Sequence, residues 1–152
     1  MESKYEKLKL KNQLCFPIYL CSKEIIRRYT KYLKEINLTY TQYIVMMFFW
    51  EIKKANVKDV GQILCLDPST LTPLLKTLEK KGYIKRAKSK KDERLLDVSI
   101  TKSGEKLKEK ALLIPDNMKK CLGIDDDEIK VLYKLIYKVL FNVEKTSGNM
   151  SR

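Results

Sequence analysis

Four cysteines are the residues of this sequence with the most chemistry open to them, and the chain contains no histidine. Without histidine there are no Ser-His or Cys-His nucleophile pairs, no histidine general base and no histidine-ligated metal. The cysteines stand at positions 15, 21, 65 and 121, and none has the CxxC spacing of a zinc ribbon or a thioredoxin-type motif. We therefore predict no metal site, no cofactor and no catalytic site of these classes, which leaves the reactivity of a thiol itself.

Cys15 lies two residues before Pro17, and this spacing predicts its place in a helix. Proline lacks an N–H and is tolerated in the first helical turn, so the helix predicted over 12–36 should begin near residues 13–17. A thiol in that turn is stabilised as thiolate by the helix dipole. A thiolate attacks the O–O bond of a peroxide and becomes a sulfenic acid, which a second thiol converts to a disulfide. The alternative is an inert cysteine that packs as a small apolar residue.

The next two cysteines are not among the predicted sensing residues. Cys21 lies about 9 Å further along the same helix and on another face, which is too far from Cys15 for a disulfide within one chain. Cys65 stands between Leu64 and Leu66, and we expect it in the core.

Charge is the second chemical signal. Lys and Arg number 32 against 19 Asp and Glu, a net charge of +13, which favours a polyanionic partner such as nucleic acid. The alternative is a solvated, lysine-rich surface. Position favours the partner, because the charge is concentrated over 76–94, where the basic residues are Lys76, Lys80, Lys81, Lys85, Arg86, Lys88, Lys90, Lys91 and Arg94.

The apolar content and its distribution limit the class of protein. At 44% hydrophobic residues the chain can build a core, yet no apolar run approaches the ~18 residues of a membrane span. The first residues lack the apolar stretch of a secretory signal. We therefore expect a soluble, cytoplasmic protein that makes no membrane contact.

Hydrophobic periodicity predicts a mainly α-helical chain with one small β-hairpin. Thr39 or Thr41 caps the second helix, Pro115 interrupts or ends the helix that follows the hairpin, and the tail from Lys145 is predicted to be disordered. Three helices followed by a two-stranded wing form a winged helix-turn-helix domain. The predicted helices cover 12–36, 39–53, 57–64, 67–82, 101–113 and 126–144, and the hairpin strands cover 83–87 and 95–100. We expect a single domain over 1–144, with the winged helix-turn-helix at 38–101, dimerisation helices at 12–36 and 102–144, and the tail at 145–152.

The helix over 67–82 is the candidate recognition helix. Its leucines at 71, 74, 75 and 78 form one buried stripe, so its polar residues face outward. Hydroxyls and lysines on such a face reach base edges and phosphates in a major groove. Arg94 in the hairpin can enter a narrow minor groove, and Asp92 can orient it. The predicted DNA-binding residues are Ser69, Thr70, Thr72, Lys76, Thr77 and Lys80 on the helix, and Lys88, Lys90, Lys91, Asp92 and Arg94 in the hairpin.

Several motifs resemble a known family. The stretch 92–104, DERLLDVSITKSG, resembles the wing signature D-x-R followed by a strand and T-x-x-G of MarR-type transcriptional regulators. NQLCF at 12–16, LTYTQY at 38–43, LD at 66–67 and TLTPLLK at 70–76 resemble the organic-hydroperoxide-sensing, OhrR-like branch. The resemblance spans roughly residues 5 to 144.

The resemblance implies that Cys15 is the peroxide-reactive thiol and that Tyr29 and Tyr40 of the partner subunit hydrogen-bond its sulfur. Geometry agrees for Tyr29, since fourteen helical residues separate it from Cys15 by about 21 Å, so only a second chain can bring them together. The site would therefore require a homodimer. Some members carry a resolving cysteine in the C-terminal region, where Cys121 falls. The alternative to resolution by Cys121 is a mixed disulfide with a small cellular thiol.

We therefore predict a homodimeric, non-enzymatic repressor that binds a pseudo-palindromic operator on double-stranded DNA and releases it when organic hydroperoxides oxidise Cys15. Three alternatives remain open at this point. A MarR-type repressor could be released by a small aromatic ligand. A thiol peroxidase would turn over peroxide repeatedly at Cys15. A general basic architectural protein would show neither operator preference nor redox response.

Overall fold

The computed structural model describes residues 4–90, 92 and 94–146, and within them seven α-helices and three β-strands follow two short 3-10 turns (Glu6–Leu8 and Leu10–Asn12). In chain order the elements are α1 (Cys15–Glu35), α2 (Tyr40–Ile52), β1 (Lys54–Asn56), α3 (Val57–Leu64), α4 (Pro68–Lys80), β2 (Ile84–Lys88), β3 (Leu96–Ile100), α5 (Lys102–Ala111), α6 (Ile114–Leu122) and α7 (Asp126–Thr146). A winged helix-turn-helix lies between long terminal helices, which confirms the predicted fold class.

The first two helices begin where their local chemistry dictates. Pro17 is the third residue of α1, where a missing N–H costs no intrahelical hydrogen bond. Thr39 caps α2 in a capping box: the Gln42 N–H donates to Thr39 Oγ1 (3.3 Å), and the Thr39 N–H donates to Gln42 Oε1 (3.2 Å). Asn37 ends α1 with a left-handed backbone (φ 55°). The chain therefore reverses sharply between α1 and α2.

The helix-turn-helix consists of α3 and α4. The Asn56 side chain caps α3 by accepting from the Asp59 N–H (2.9 Å). Pro68 opens α4 directly after Asp67, and Gly82 follows its end with a left-handed φ of 77° that suits glycine. The α3 bounds agree with the prediction, and the α4 bounds differ from it by one or two residues.

The wing contains one strand more than the sequence indicated. Strands β2 and β3 form the predicted antiparallel hairpin, with Ile84 opposite Ile100 and Lys88 opposite Leu96. The short β1 pairs antiparallel with the other edge of β3, giving the strand order β1-β3-β2. A three-residue strand carries no alternation of its own, so pairing with β3, rather than local pattern, makes it a strand.

A threonine and a glycine join the wing to α5. Thr101 Oγ1 donates to the Gly82 carbonyl (2.6 Å) and accepts from the Gly104 N–H (3.0 Å), which caps α5. Trp50 Nε1 donates to the Gly104 carbonyl (2.8 Å), and a Cβ at Gly104 would collide with the Tyr83 carbonyl. The spacing of Thr101 and Gly104 in the wing signature therefore has a direct packing reason.

The C-terminal part differs from the prediction in two details. Pro115 ends the preceding helix as expected, but it also lies in the first turn of a separate helix, α6, because proline is well tolerated there. Helix α7 extends to Thr146, so Lys145 is helical and its assignment to a disordered tail was wrong. Residues 147–152 of the predicted tail lie outside the described residues.

The core lies where α2 packs against α4, the wing and α5. Its largest fully buried side chains include Leu33, Met46, Phe49, Leu71 and Ile84. By contrast, α7 has a broad apolar face that is exposed along its length, beside a polar stripe that includes Lys130, Lys134 and Lys138. None of the helices in the described part of the chain is long and apolar enough to cross a membrane. The exposed apolar side chains of α7 are Val131, Leu132, Tyr133, Leu135, Ile136, Tyr137, Val139, Leu140, Phe141 and Val143.

Candidate thiol site and nucleic-acid interface

Cys15 is the first residue of α1, and its side chain is exposed. The Phe16 N–H donates to the Gln13 carbonyl (3.3 Å), which closes the chain into the helix at this point. The prediction from Pro17, that the thiol lies in the first helical turn, is confirmed. The alternative of a buried, inert Cys15 does not hold within one protomer. Within one protomer this sulfur is accessible to solvent.

Tyr29 and Tyr40 meet in the structure, as part of a cluster of three tyrosines with Tyr43. The ring centroids of Tyr29 and Tyr40 are 5.0 Å apart, and those of Tyr29 and Tyr43 are 5.9 Å apart. Phenols are protonated at neutral pH and can donate hydrogen bonds, and burial raises the pKa of all three further, for Tyr43 to about 12. Tyr43 was not singled out from the sequence, although it follows Tyr40 by one helical turn.

Cys15 does not join this tyrosine cluster within its own chain. Helix α1 runs unbroken from Cys15 past Tyr29, which places their Cα atoms about 21 Å apart at 1.5 Å per residue. The structure thus brings Tyr29 and Tyr40 together and keeps the thiol at the other end of the same helix. Any contact between them must come from a second copy.

Cys121 lies on α6 and faces α1. Its Sγ is 3.7 Å from the hydroxyl of Tyr32, a residue that the sequence reasoning did not select. This contact raises the pKa of Tyr32. Tyr32 stands seventeen residues beyond Cys15 on α1, or about 25 Å along the helix axis. The two thiols of one chain are therefore too far apart for a disulfide, whose Cα atoms lie within ~7 Å of each other.

The remaining two cysteines are both exposed. For Cys65 the prediction of a core position was wrong. Its backbone is left-handed (φ 51°) where α3 ends, so the chain turns there and the thiol lies at the surface while Leu64 and Leu66 are half-buried. Apolar neighbours in sequence did not reveal this turn.

The predicted reading face of α4 is exposed as a whole. Leu71, Leu74, Leu75 and Leu78 are buried, as the periodicity required. The Thr77 hydroxyl donates to the Pro73 carbonyl (3.0 Å), so it satisfies the helix backbone as well as facing outward. The exposed candidate residues are Ser69, Thr70, Thr72, Lys76, Thr77 and Lys80.

In the wing, Asp92 holds Arg94. The Arg94 backbone N–H and Nε donate to Asp92 Oδ1 (3.0 and 3.1 Å), and a terminal guanidinium nitrogen donates to Oδ2 (3.2 Å). The Arg94 contact lowers the pKa of Asp92, so the carboxylate stays charged at neutral pH. The Arg94 side chain is 89% exposed, and Lys88 and Lys90 are exposed beside it. Lys91, also predicted to bind DNA, lies outside the described residues.

A second ion pair joins the wing to the recognition helix. Glu79 of α4 accepts from the Arg86 backbone N–H (2.9 Å), from Nε (2.9 Å) and from a terminal guanidinium nitrogen (2.6 Å). These hydrogen bonds lower the pKa of Glu79. The sequence showed Arg86 only as one more basic residue, because nothing in the local pattern links a helix position to a strand seven residues later.

An open, mostly apolar cleft of about 480 Å³ separates α3 and the start of α4 from the wing. Its walls include Val57, Leu66 and Leu96, with Lys58 and Arg94 as its cations. Across the residues described, no three cysteine or acidic side chains are grouped so as to hold a metal ion.

Comparison with known sequences gives consistent matches. Residues 27–111, more than half of the chain, match the family described as "Transcriptional regulator SarA/Rot". The chain is 40% identical over 140 residues to the "Organic hydroperoxide resistance transcriptional regulator" of Bacillus subtilis (strain 168), covering 92% of this chain and 95% of that protein. It is 44% identical over 133 residues to the "HTH-type transcriptional regulator SarZ" of Staphylococcus haemolyticus (strain JCSC1435), covering 88% and 90%.

Among solved structures, AbfR of Staphylococcus epidermidis is similar over nearly its whole length. The structure of reduced AbfR bound to DNA is 33% identical, with a TM-score of 0.76, covering 92% of this chain and 98% of AbfR. The structure of disulfide-formed AbfR is 31% identical and has a TM-score of 0.62, covering 90% and 96%. The fold of this chain is thus more similar to the reduced, DNA-bound state than to the disulfide state.

Proposed function

Because this chain belongs to the MarR-type winged-helix transcriptional regulators, and among them to the SarA/Rot family, we propose that it is a cysteine redox-sensing DNA-binding repressor. The observation that carries the proposal is the exposed Cys15 thiol in the first turn of α1, in a chain that also presents a basic recognition helix and wing. The similarity to AbfR, solved both reduced on DNA and with a disulfide formed, supports the same function.

We propose that DNA is held by a homodimer on a pseudo-palindromic operator. Two copies of α4 enter successive major grooves about one helical turn apart, and the two wings follow the flanking backbone. Arg94 is long enough, and exposed enough, to enter the minor groove beside the wing. The exposed apolar faces of α1 and α7 supply the dimer interface, because an apolar face of this extent is rarely left uncovered in a soluble protein.

The proposed signal is an organic hydroperoxide that reacts at Cys15. The thiolate sulfur attacks one peroxide oxygen and the O–O bond breaks, so that sulfur is oxidised to sulfenic acid and the peroxide is reduced to an alcohol after protonation. A second thiol then displaces hydroxide from the sulfenic sulfur, and a disulfide and water result. The second thiol is either Cys121 of the partner subunit or a small cellular thiol.

Tyr29 and Tyr40 are proposed to hydrogen-bond the Cys15 sulfur across the dimer. Phenols are protonated at neutral pH, and burial raises the pKa of both further, so each can donate to a thiolate. Oxidation replaces the thiolate by a neutral, larger group and weakens these bonds. The dimer population then shifts toward an arrangement in which the two α4 helices no longer match the operator. The size of this shift is limited by how much oxidation changes the free-energy difference between the two arrangements.

The direct test replaces the thiol. Cys15→Ser should bind the operator like the wild type and stay bound when cumene hydroperoxide is added. Cys21→Ser, a change of equal size on an exposed site of the same helix, is the matched control and should be released normally. Release of Cys15→Ser by peroxide would refute the sensing role of Cys15. Repeated peroxide consumption with a thiol reductant would indicate a peroxidase instead.

The cleft between α3 and the wing favours a second candidate, a repressor released by a small aromatic acid. Its apolar walls suit an aromatic ring, and of its charged lining residues Lys58 and Arg94 can bind a carboxylate, whereas Asp67 would repel it. A ligand there would compete with DNA for Arg94. Release of the Cys15→Ser variant by salicylate, with no response of the wild type to peroxide, would support this candidate over redox sensing.

A further inference from the structure

One ammonium group, that of Lys81, connects three helices. Lys81 is the residue directly after α4, and its Nζ donates to the backbone carbonyl of Asn37 (2.6 Å) and to Gln42 Oε1 (2.9 Å). Asn37 ends α1 and Gln42 lies in the first turn of α2, so the three segments share this group. Within the sequence Lys81 was only one of the basic residues of 76–94.

Both acceptors are fixed parts of the turn between α1 and α2. Asn37 has a left-handed backbone, and the Leu38 N–H beside it donates to the Leu33 carbonyl (3.0 Å). Gln42 is buried, and its Oε1 already accepts from the Thr39 N–H in the α2 capping box. The positive charge also lies at the C-terminal end of α1, where the helix dipole favours a cation. Burial lowers the pKa of Lys81, as expected for an ammonium partly withdrawn from water.

The same turn carries half of the tyrosine cluster. Tyr40 is the first residue of α2, between Thr39 and Gln42, and its ring contacts Tyr29 of α1 at 5.0 Å between centroids. A movement of the Tyr40 backbone therefore moves the first turn of α2, which carries Gln42 Oε1, and pulls on the turn before it, which carries the Asn37 carbonyl.

Through its backbone, Lys81 is also attached to the end of the recognition helix. Its backbone N–H donates to the Thr77 carbonyl (3.0 Å), so it closes the last turn of α4. Thr77 and Lys80 in that turn are exposed on the predicted reading face. Tyr40 is thus connected to this face through the first turn of α2, the two hydrogen bonds of the Lys81 ammonium and the last turn of α4.

We propose that Lys81 is the positioning residue through which the state of the tyrosine cluster sets the orientation of the recognition helix. This inference rests on the proposed redox-sensing function and names the contact that transmits its signal. In the reduced state the ammonium holds the end of α4 against the α1–α2 turn. When Cys15 of the partner subunit is oxidised and Tyr40 loses its sulfur contact, the turn shifts and takes the end of α4 with it.

Lys81→Met tests this role, because methionine keeps much of the length and removes the charge and both hydrogen bonds. Lys106→Met, on the exposed side of α5, is the matched control for the loss of one positive charge. Operator Kd is measured by fluorescence anisotropy for the reduced and the peroxide-treated protein, with Cys15 oxidation followed by intact mass. The readout is the ratio of oxidised to reduced Kd.

We expect the Kd ratio of Lys81→Met to be roughly threefold to thirtyfold smaller than that of the wild type, while Cys15 oxidises at the wild-type rate. Lys106→Met should keep the wild-type ratio, and Lys81→Arg, which retains the charge and several donors, should restore most of it. A purely structural role would weaken binding in both states and leave the ratio unchanged. If Lys81→Met does not fold, Lys81→Gln carries the same expectation.

The outcomes distinguish the role of Lys81 from the redox-sensing function on which it rests. A wild-type ratio in folded Lys81→Met would overturn the role of Lys81 and leave redox sensing intact. A wild-type protein that keeps its operator affinity after Cys15 is oxidised would overturn the proposed function itself.

Discussion

At the scale of residues, the groups proposed to sense and to bind lie in separate places and are held by different means. Cys15 is exposed at the start of α1, whereas Tyr29, further along α1, and Tyr40, the first residue of α2, are both half-buried. Arg94 is exposed but oriented by three hydrogen bonds to Asp92. An oriented yet exposed guanidinium loses little conformational entropy on entering a groove, which favours a specific contact.

Arg94→Ala should weaken operator binding by ~1–3 kcal/mol, the usual value of a specific groove contact. Arg94→Lys should recover only part of this loss, because an ammonium lacks the two-pronged geometry that Asp92 orients. Lys106→Ala controls for charge. Fluorescence anisotropy at fixed salt measures the Kd of each variant, and an unchanged affinity for Arg94→Ala would exclude the minor-groove contact.

Tyr43 makes the tyrosine cluster sensitive to alkali. Its pKa is raised from 10.0 to about 12 by burial, so the folded state holds the proton more tightly than the unfolded chain does. The resulting stabilisation is complete below pH 10 and is lost as the pH rises toward 12. Between pH 10 and 12 the free energy of unfolding of the wild type should therefore fall by ~2 kcal/mol more than that of Tyr43→Phe.

Urea unfolding at several pH values measures this difference between Tyr43→Phe and the wild type. Tyr19→Phe, which removes an exposed phenol from α1, is the control and should follow the wild type. If Tyr43→Phe loses stability as steeply as the wild type, titration of Tyr43 is not the cause of alkaline unfolding.

At the scale of elements, Glu79 and Arg86 join the recognition helix and the wing into one unit. The pair is partly screened from solvent, with side-chain exposures of 34% for Glu79 and 19% for Arg86, and the Arg86 backbone N–H in the middle of β2 also donates to the Glu79 carboxylate. The low pKa of Glu79 keeps the pair charged well below neutral pH. A rigid connection of this kind fixes the distance between the α4 reading face and Arg94.

Glu79→Ala should therefore loosen the wing without unfolding the domain. We expect operator affinity to fall several-fold and the Arg86 amide, which loses its acceptor, to exchange with deuterium faster. Glu51→Ala, an exposed position on α2, is the control. Hydrogen exchange followed by NMR gives the local readout. Unchanged Arg86 exchange in Glu79→Ala would show that the wing is held by other contacts.

Most elements could be predicted from the sequence because local chemistry determines them. Thr39, Pro68 and Gly82 mark helix ends by capping or by backbone preference, and the leucine stripe fixes which side of α4 is buried. What could not be predicted depends on residues distant in sequence. Strand β1 exists because β3 pairs with it, and Lys81 meets Asn37 and Gln42 across about 40 residues of chain.

The sequence predicted the individual residues of the candidate site, but only some of the contacts between them. Cys15, Tyr29 and Tyr40 were selected from the helix start and from the resemblance, and the two tyrosines do meet. Tyr32 beside Cys121 was missed, because no periodic pattern links α1 to α6. The surface position of Cys65 was missed because apolar neighbours outweighed a turn that only the left-handed backbone reveals.

At the scale of the whole molecule, one protomer is an incomplete unit. Helix α7 exposes apolar side chains along its length, and α1 exposes Ile18, Leu20 and Ile26. Exposed apolar surface of this extent is rare in a protein that stays monomeric. The distance between Cys15 and Tyr29 in one chain is an independent reason for a second copy. The proposed sensor takes its thiol from one protomer and its phenols from the other.

Ile136→Asp, on one exposed apolar side of α7, should shift the protein from dimer to monomer. The buried carboxylate would be unpaired in the proposed interface, which is strongly destabilising. Operator affinity should fall together with the dimer, because a monomer covers a single half-site. Lys138→Asp, two residues further on, is the control and should remain dimeric. Analytical ultracentrifugation measures both, and a dimeric Ile136→Asp would place the interface elsewhere.

The central claim, that the oxidation state of a thiol controls DNA binding, is tested most directly by a gel shift on the DNA upstream of the protein's own gene. Reduced, peroxide-treated and re-reduced samples are compared, with the intact mass of each recorded. We expect binding, release and binding again, with a mass gain at Cys15 or a covalent dimer through Cys121 in the released sample. Undiminished binding by protein whose Cys15 is fully oxidised would contradict it.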